Sequence, residues 1–191
     1  MPSNFNNCGS CPYNPNNSNS AQIVQAYKNK NKSPLSLVNN NSDILLIFEA
    51  PGITEWSKNT PLCSKRSSSS AMIFKKALAA SNIGKTLSNY DITEAVCCFP
   101  GTSGKSKIGK KNADEERLAA CFCVTNLKND ILGKRYKKIV CFGLIAYNSA
   151  LLIYNTFNSI ANIPTPIFCN HPNYFGNKNI AGLIQFIKQN L

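Results

Sequence analysis

At 191 residues and 43% hydrophobic content, the chain is long enough for one domain with a buried core, and no apolar run reaches membrane-spanning length. Lys and Arg number 21 against 9 Asp and Glu, a formal charge of +12 that predicts an anionic partner, with DNA or RNA leading. A composition-driven lysine excess is the alternative, because the chain is also rich in Asn, Ile and Ser.

The N-terminus MPSNFNNCGSC lacks a signal-peptide pattern, so a cytoplasmic protein with no membrane partner is expected. Nine cysteines, an odd count without a secretion signal, argue for metal or cluster ligation over a disulfide framework. Cys8-Gly-Ser-Cys11 has a spacing that lets two thiolates reach one zinc ion or iron–sulfur cluster. Tyr13–Asn41 reads as an exposed Asn/Ser/Lys-rich connection with one short helix over Ala21–Lys28.

Ile44–Phe48 is a continuous apolar run, the pattern of a strand covered on both faces of a parallel sheet. It stops at Glu49-Ala50-Pro51-Gly52, where Pro lacks an N–H and Gly accepts positive φ. Glu49 is thereby left at the carboxyl end of a buried strand, where open α/β sheets bind ligands; a solvated loop acid is the plain alternative.

After Asn59-Thr-Pro-Leu62 come Lys65-Arg66 and the run Ser67–Ser70. The serines suit capping of a helix over Ala71–Ser81, contact with phosphates, or a flexible loop. A second strand is predicted over Tyr90–Phe99 and brings Glu94 near its end. Gly101–Asn112 carries Lys105, Lys107, Lys110 and Lys111 with no apolar face, which suits contact with a DNA backbone or a solvated loop. Asp114–Leu132 reads as an amphipathic helix with Leu118, Phe122, Leu127 and Ile131 as its stripe, carrying Cys121 and Cys123 and ended by Gly133. A third strand over Ile139–Phe142, a helix over Leu144–Leu152, a fourth strand over Pro166–Cys169 and a closing helix over Ile180–Leu191 complete the order.

This alternation predicts a doubly wound, three-layer α/β/α domain over residues 1–191 with a central four-stranded parallel sheet; residues 1–42 form a cluster-binding, Asn-rich N-terminal segment. The strand ends would gather Glu49, Glu94 and His171, the only histidine, at one crevice.

The order of these motifs resembles the iron–sulfur branch of the uracil-DNA glycosylase superfamily. The family's GEAPG-x-x-E, TN-V-V-K-C and HPS stand here as Phe48–Glu55, Thr93–Cys98 and His171–Asn173. The resemblance covers most of the chain, apart from an enlarged Asn-rich segment and a longer lysine loop. It implies a structural [4Fe–4S] cluster on Cys8, Cys11, Cys98 and Cys123, with Cys121 as the alternative fourth ligand and zinc as the alternative metal. It implies Glu49 as the acid that orients water or stabilises a cationic sugar, and His171 as the donor to the base O2. Tyr174 and Phe175 fall where the family wedges the duplex, and Asn173 stands at the base-contacting turn. Lys65, Arg66, Ser67 and the lysine loop would track the DNA backbone of this monomeric enzyme.

Two departures concern the base itself. Glu94 replaces an Asn that reads uracil, and Leu62 replaces a Phe that stacks on it. A carboxylate accepts well from the N4 amino group of cytosine but faces O4 of uracil with like charge. The expectation is a monofunctional glycosylase for a non-standard pyrimidine, a modified cytosine ahead of uracil, with a role in defence against phage. The alternatives are an ordinary uracil-DNA glycosylase of base-excision repair and a non-catalytic iron–sulfur module that binds nucleic acid.

Overall fold

The computed structural model describes residues 11–13, 34–99, 113–176 and 179–191. Its elements run β1 (Ile44–Phe48), α1 (Ile53–Lys58), α2 (Ser70–Ala80), β2 (Asp91–Glu94), α3 (Ala113–Leu132), β3 (Lys138–Phe142), α4 (Leu144–Ala161), β4 (Ile167–Cys169), α5 (Pro172–Phe175) and α6 (Ile180–Asn190). Every residue of β1 is buried, because β1 lies inside the sheet order β2-β1-β3-β4 and all pairings are parallel. Its alternate side chains feed two cores. Ile44, Leu46 and Phe48 pack with α2 and α6, whereas Leu45 and Ile47 pack with α3 and α4. The fold is the three-layer α/β/α arrangement expected from the strand–helix alternation. No helix among the described residues is long and apolar enough to cross a membrane.

At the carboxyl end of the sheet the core closes on aromatic rings. Phe48 stacks on Phe142 with centroids 4.7 Å apart, and Phe74 of α2 meets both edge-on at 5.4 and 5.1 Å. A third, smaller cluster lies beyond the end of β2, where Cys11, Tyr13 and Leu35 pack with Trp56, Val96, Phe99, Ala119 and Ala120. It ties the N-terminal segment to α1 and α3.

Four expectations need correction. β2 ends at Glu94 and does not continue to Phe99. Beyond it, the Ala95 and Val96 N–H groups donate to the carbonyls of Phe48 and Glu49, and β1 then turns away at Pro51-Gly52. Residues 95–99 are apolar because the second and third clusters bury them, not because they form a strand. Leu118 is 51% exposed; the buried face of α3 is Ala119, Cys123, Leu127 and Ile131, a stripe whose small members hid it. α4 continues past Leu152 to Ala161, because Ile153 is core, Tyr154 and Phe157 pack beside it, and Asn162 ends the helix in the left-handed region. The short helices α1 and α5 were not expected. The proposed helix Ala21–Lys28 and the lysine loop lie outside the described residues.

The edge of β2 is covered by the preceding segment, where Val38 and Ile92 exchange N–H···O bonds of 2.9 and 3.0 Å. Beside this bridge, the fully buried Asp91 carboxylate accepts from Asn40 N–H at 2.8 Å, Ser42 N–H at 3.0 Å, Tyr136 O–H at 3.0 Å and Lys134 Nζ at 3.2 Å. Asp91→Ala strands these donors inside the protein, so it should cost about 3 kcal/mol in urea unfolding. A loss below about 1 kcal/mol would mean that water replaces the carboxylate.

Candidate active site

A cavity of about 390 Å³ opens at the carboxyl ends of the strands. Phe48 floors it. Its walls come from the turn Glu49–Gly52 with α1, from Leu62–Ala71 at the start of α2, and from Glu94, Glu116, His171 and Asn173. Glu49, Glu94 and His171, which the sequence places at three separate strand ends, therefore meet at one site. The long separations in sequence are closed by the parallel sheet, which sets all carboxyl ends on one edge.

Glu49 is held over the start of α4. Its Oε1 accepts from the Ile145 N–H at 3.2 Å, so the carboxylate lies where a helix presents unsatisfied donors. Gly143, at φ 104°, makes this possible, because a Cβ there would collide with the Glu49 carboxyl group. His171 caps α5: its Nδ1 accepts from the Asn173 N–H at 3.3 Å, and Pro172 occupies the first helical position. That bond assigns the proton of the neutral ring to Nε2.

Glu94 is 4% exposed, and its Oε2 has no hydrogen-bond partner among the described residues. Burial above all, then the nearby Glu55 and Glu49, push its carboxyl well above the usual range. Glu55 is also buried, but its Oε1 accepts from the Ser64 N–H at 3.1 Å. Glu55 and the buried Glu116 carried no role in the sequence reading. Glu55 was visible only as the last residue of its motif, and nothing in the sequence marked Glu116 as a buried acid. Leu62 lines the wall at φ 54°, a conformation that costs a non-glycine residue roughly 1–2 kcal/mol.

At the rim the serine run resolves into a cap. Ser69 Oγ accepts from the Met72 N–H and donates to the Arg66 carbonyl, which starts α2 beside the cavity. Lys65, Arg66 and Ser67 are exposed, and Arg66 reaches the cavity lining. Tyr174 is 72% exposed next to the mouth, whereas the Phe175 ring is half-buried against Gly182 of α6. Of the lysines assigned to DNA, Lys105, Lys107 and Lys110 lie outside the described residues, as does Cys8.

The remaining cysteines fall into different surroundings. Cys11 is buried in the third cluster and Cys98 packs against it. Cys123 is buried and hydrogen-bonded to Cys97; this hydrogen bond lowers the Cys123 thiol against the opposing effect of burial, and together with burial it pushes the Cys97 thiol well up. Cys121 is exposed. Among the described residues no three ligating side chains converge on a metal position.

The chain matches no family model and no curated protein.

The protonation of Glu94 should be legible in stability. The unfolded chain releases this proton near pH 4.5, while the folded protein retains it, so stability falls as pH rises from there towards the native pKa. Asp130, raised by burial to about 6, contributes a similar loss that tails off about one pH unit above that value. Both proteins share the Asp130 contribution, so the part of the slope above pH 6 that Glu94→Gln removes belongs to Glu94. Glu94→Gln should flatten it and stabilise the protein at pH 7.5, as read by urea titrations at pH 6 and pH 7.5. Equal slopes in the two proteins would place the Glu94 carboxylate in an ionised, solvated state.

Proposed function

We propose that the protein is a DNA glycosylase that takes a flipped-out, non-standard pyrimidine into this cavity and hydrolyses its N-glycosidic bond. The observation that carries the reading is the meeting of Glu49, His171 and Glu94, whose Oε2 has no partner among the described residues, around one cavity at the carboxyl edge of the sheet. The net charge of +12 and the exposed Lys65 and Arg66 beside the mouth support a nucleic acid as the bound polymer.

The chemistry follows from the positions. As the bond between sugar and base breaks, its electron pair passes to the base and positive charge grows on the sugar. Glu49, fixed over α4, faces that charge and orients the water whose oxygen joins the sugar carbon, and the proton this water releases neutralises the departing base. His171 offers its Nε2–H to the oxygen on which the base gathers negative charge. Glu94 meets the base edge, Leu62 lies along the base wall, and exposed Tyr174 suits the wedge that holds the duplex open.

A cytosine-type base with a 5-substituent remains the first substrate, since ordinary cytosine must be spared in the host genome. Such bases occur in viral DNA, which fits a defence role. Uracil is the second reading, and one observation favours it. A protonated Glu94 no longer sets a negative charge against O4.

Cys8, Cys11, Cys98 and either Cys123 or Cys121 suit a [4Fe–4S] cluster, with zinc as the other metal; bound there, it would brace the N-terminal segment against α3. The shared packing of Cys11 and Cys98 fits this role, while the bond of Cys123 to Cys97 leaves the fourth ligand open. No step of the reaction depends on it.

Duplex oligonucleotides carrying single uracil, 5-methylcytosine or 5-hydroxymethylcytosine test the activity through alkali-sensitive abasic sites. Wild-type protein should cleave at least one. Glu49→Ala and His171→Ala should each lower turnover about a hundredfold or more on that substrate with little change in duplex affinity. Intact strands throughout the panel, with tight DNA binding, would favour the non-catalytic module. Metal analysis of anaerobically purified protein should give on the order of four irons with matching sulfide per chain, lost in Cys11→Ala and kept in Cys141→Ala. Stoichiometric zinc without sulfide would overturn the cluster.

A further inference from the structure

We propose that Glu94 works as a neutral carboxylic acid and that Glu55 is the positioning residue that keeps it neutral. The proposal rests on the glycosylase reading only for the identity of the ligand that Glu94 meets.

Glu94 and Glu55 are buried carboxyl groups that line one cavity. They are 4% and 7% exposed, and they differ in what holds them. Glu55 has a donor, the Ser64 N–H, and is confined from behind by Gly52, where an added Cβ would lie 2.5 Å from Glu55 Oε2. Its carboxylate is pinned in place. Glu94 Oε2 has no donor among the described residues. Two like charges in one poorly solvated space raise each other's cost of ionisation, and the group without a donor takes the proton.

The other groups facing this space do not reverse that outcome. Glu49 from the end of β1 and Glu116 from α3 are acids, and Glu49 is already bound at the start of α4. His171 lies at the far strand end, and Arg66 is exposed at the mouth, where water screens it. Asp130 of α3 accepts from the hydroxyl of Thr93, one residue before Glu94. Among the described residues, acids outnumber cations around Glu94.

A neutral carboxylic acid presents one O–H donor and one C=O acceptor side by side, and the proton can reside on either oxygen. It therefore fits a base edge that sets an acceptor beside a donor, in either order. Cytosine-type bases offer N3 and the N4 amino group; uracil-type bases offer O4 and N3–H. Both belong to the accepted class, and discrimination between them falls to the Leu62 wall and the space around the 5-position.

The test has two arms. In the first, ¹³C NMR of protein labelled at the glutamate side-chain carboxyl carbon, with the Glu94 signal assigned by its absence in Glu94→Gln, follows that signal from pH 5 to pH 9. It should remain in the protonated position through pH 7, and Glu55→Gln, which keeps an acceptor for Ser64, should move its midpoint down by about one pH unit or more. If Glu55→Gln does not fold, Glu55→Asp withdraws the charge in the same direction. A Glu94 signal already ionised at pH 6 overturns the proposal, as does a midpoint that neither variant moves. In the second arm, single-turnover excision is measured against pH on duplexes carrying uracil or 5-hydroxymethylcytosine. The rate should fall on the alkaline side in wild type, fall about one pH unit earlier in Glu55→Gln, and lose this limb in Glu94→Gln. An alkaline limb unchanged in Glu55→Gln overturns the proposal while leaving the glycosylase reading intact. No excision of either base at any pH refutes that reading for these substrates, and the NMR arm still decides the acid pair.

Discussion

A strand buried on both faces has to lie inside its sheet, and the point where it stops becomes the deepest part of the sheet's edge. β1 is that strand, and Pro51-Gly52 fixes where the chain turns away. The stacked rings of Phe48 and Phe142 seal the core just below, so the cavity above has an apolar floor and a rim of chain that has left the sheet. Glu49 is the first residue past that floor. Its position depends on Gly143 as much as on β1, because only a residue without a Cβ lets the carboxylate reach the start of α4.

The same geometry explains why four acids meet in a chain that is otherwise basic. Glu49, Glu55, Glu94 and Glu116 come from the turn after β1, from α1, β2 and α3, and their convergence brings mutual repulsion as well as desolvation. The protein meets these costs in different ways. Glu49 receives a helix N–H and Glu55 a loop N–H, while Glu94 Oε2 has no partner among the described residues and burial pushes its carboxyl well above the usual range. A polar group left unsatisfied in a closed core is a structural loss, but one facing a cavity is poised for a ligand. The strained backbone at Leu62, on the opposite wall, has the same character.

Much of this was legible in the sequence because the signals were strong and local. An unbroken apolar run, a Pro-Gly stop and a lone histidine before a proline placed β1, Glu49 and His171 correctly. Expectations failed where burial was mistaken for strand, as in residues 95–99, and where small side chains carried a helix's buried face, as in Ala119 and Ala120 of α3. Glu55 and Glu116 were missed for a further reason. A charged residue within a helix reads as a solvated face, and only the tertiary approach of α1 and α3 to the end of β2 reveals these two as buried. The upward shift of the Glu94 carboxyl was likewise beyond the sequence, since it depends on burial at the end of β2 and then on neighbours 39 and 45 positions away.

The central claim is that this cavity receives a base turned out of a duplex. Fluorescence of 2-aminopurine placed beside a single uracil, and in parallel beside a single 5-hydroxymethylcytosine, reports that event directly, because the probe brightens when its neighbour leaves the stack. Wild-type protein should raise the emission on at least one duplex. Leu62→Trp, which fills the cavity, should abolish the rise while leaving salt-dependent binding to the duplex in place. Tight binding with unchanged emission on both duplexes would contradict the account.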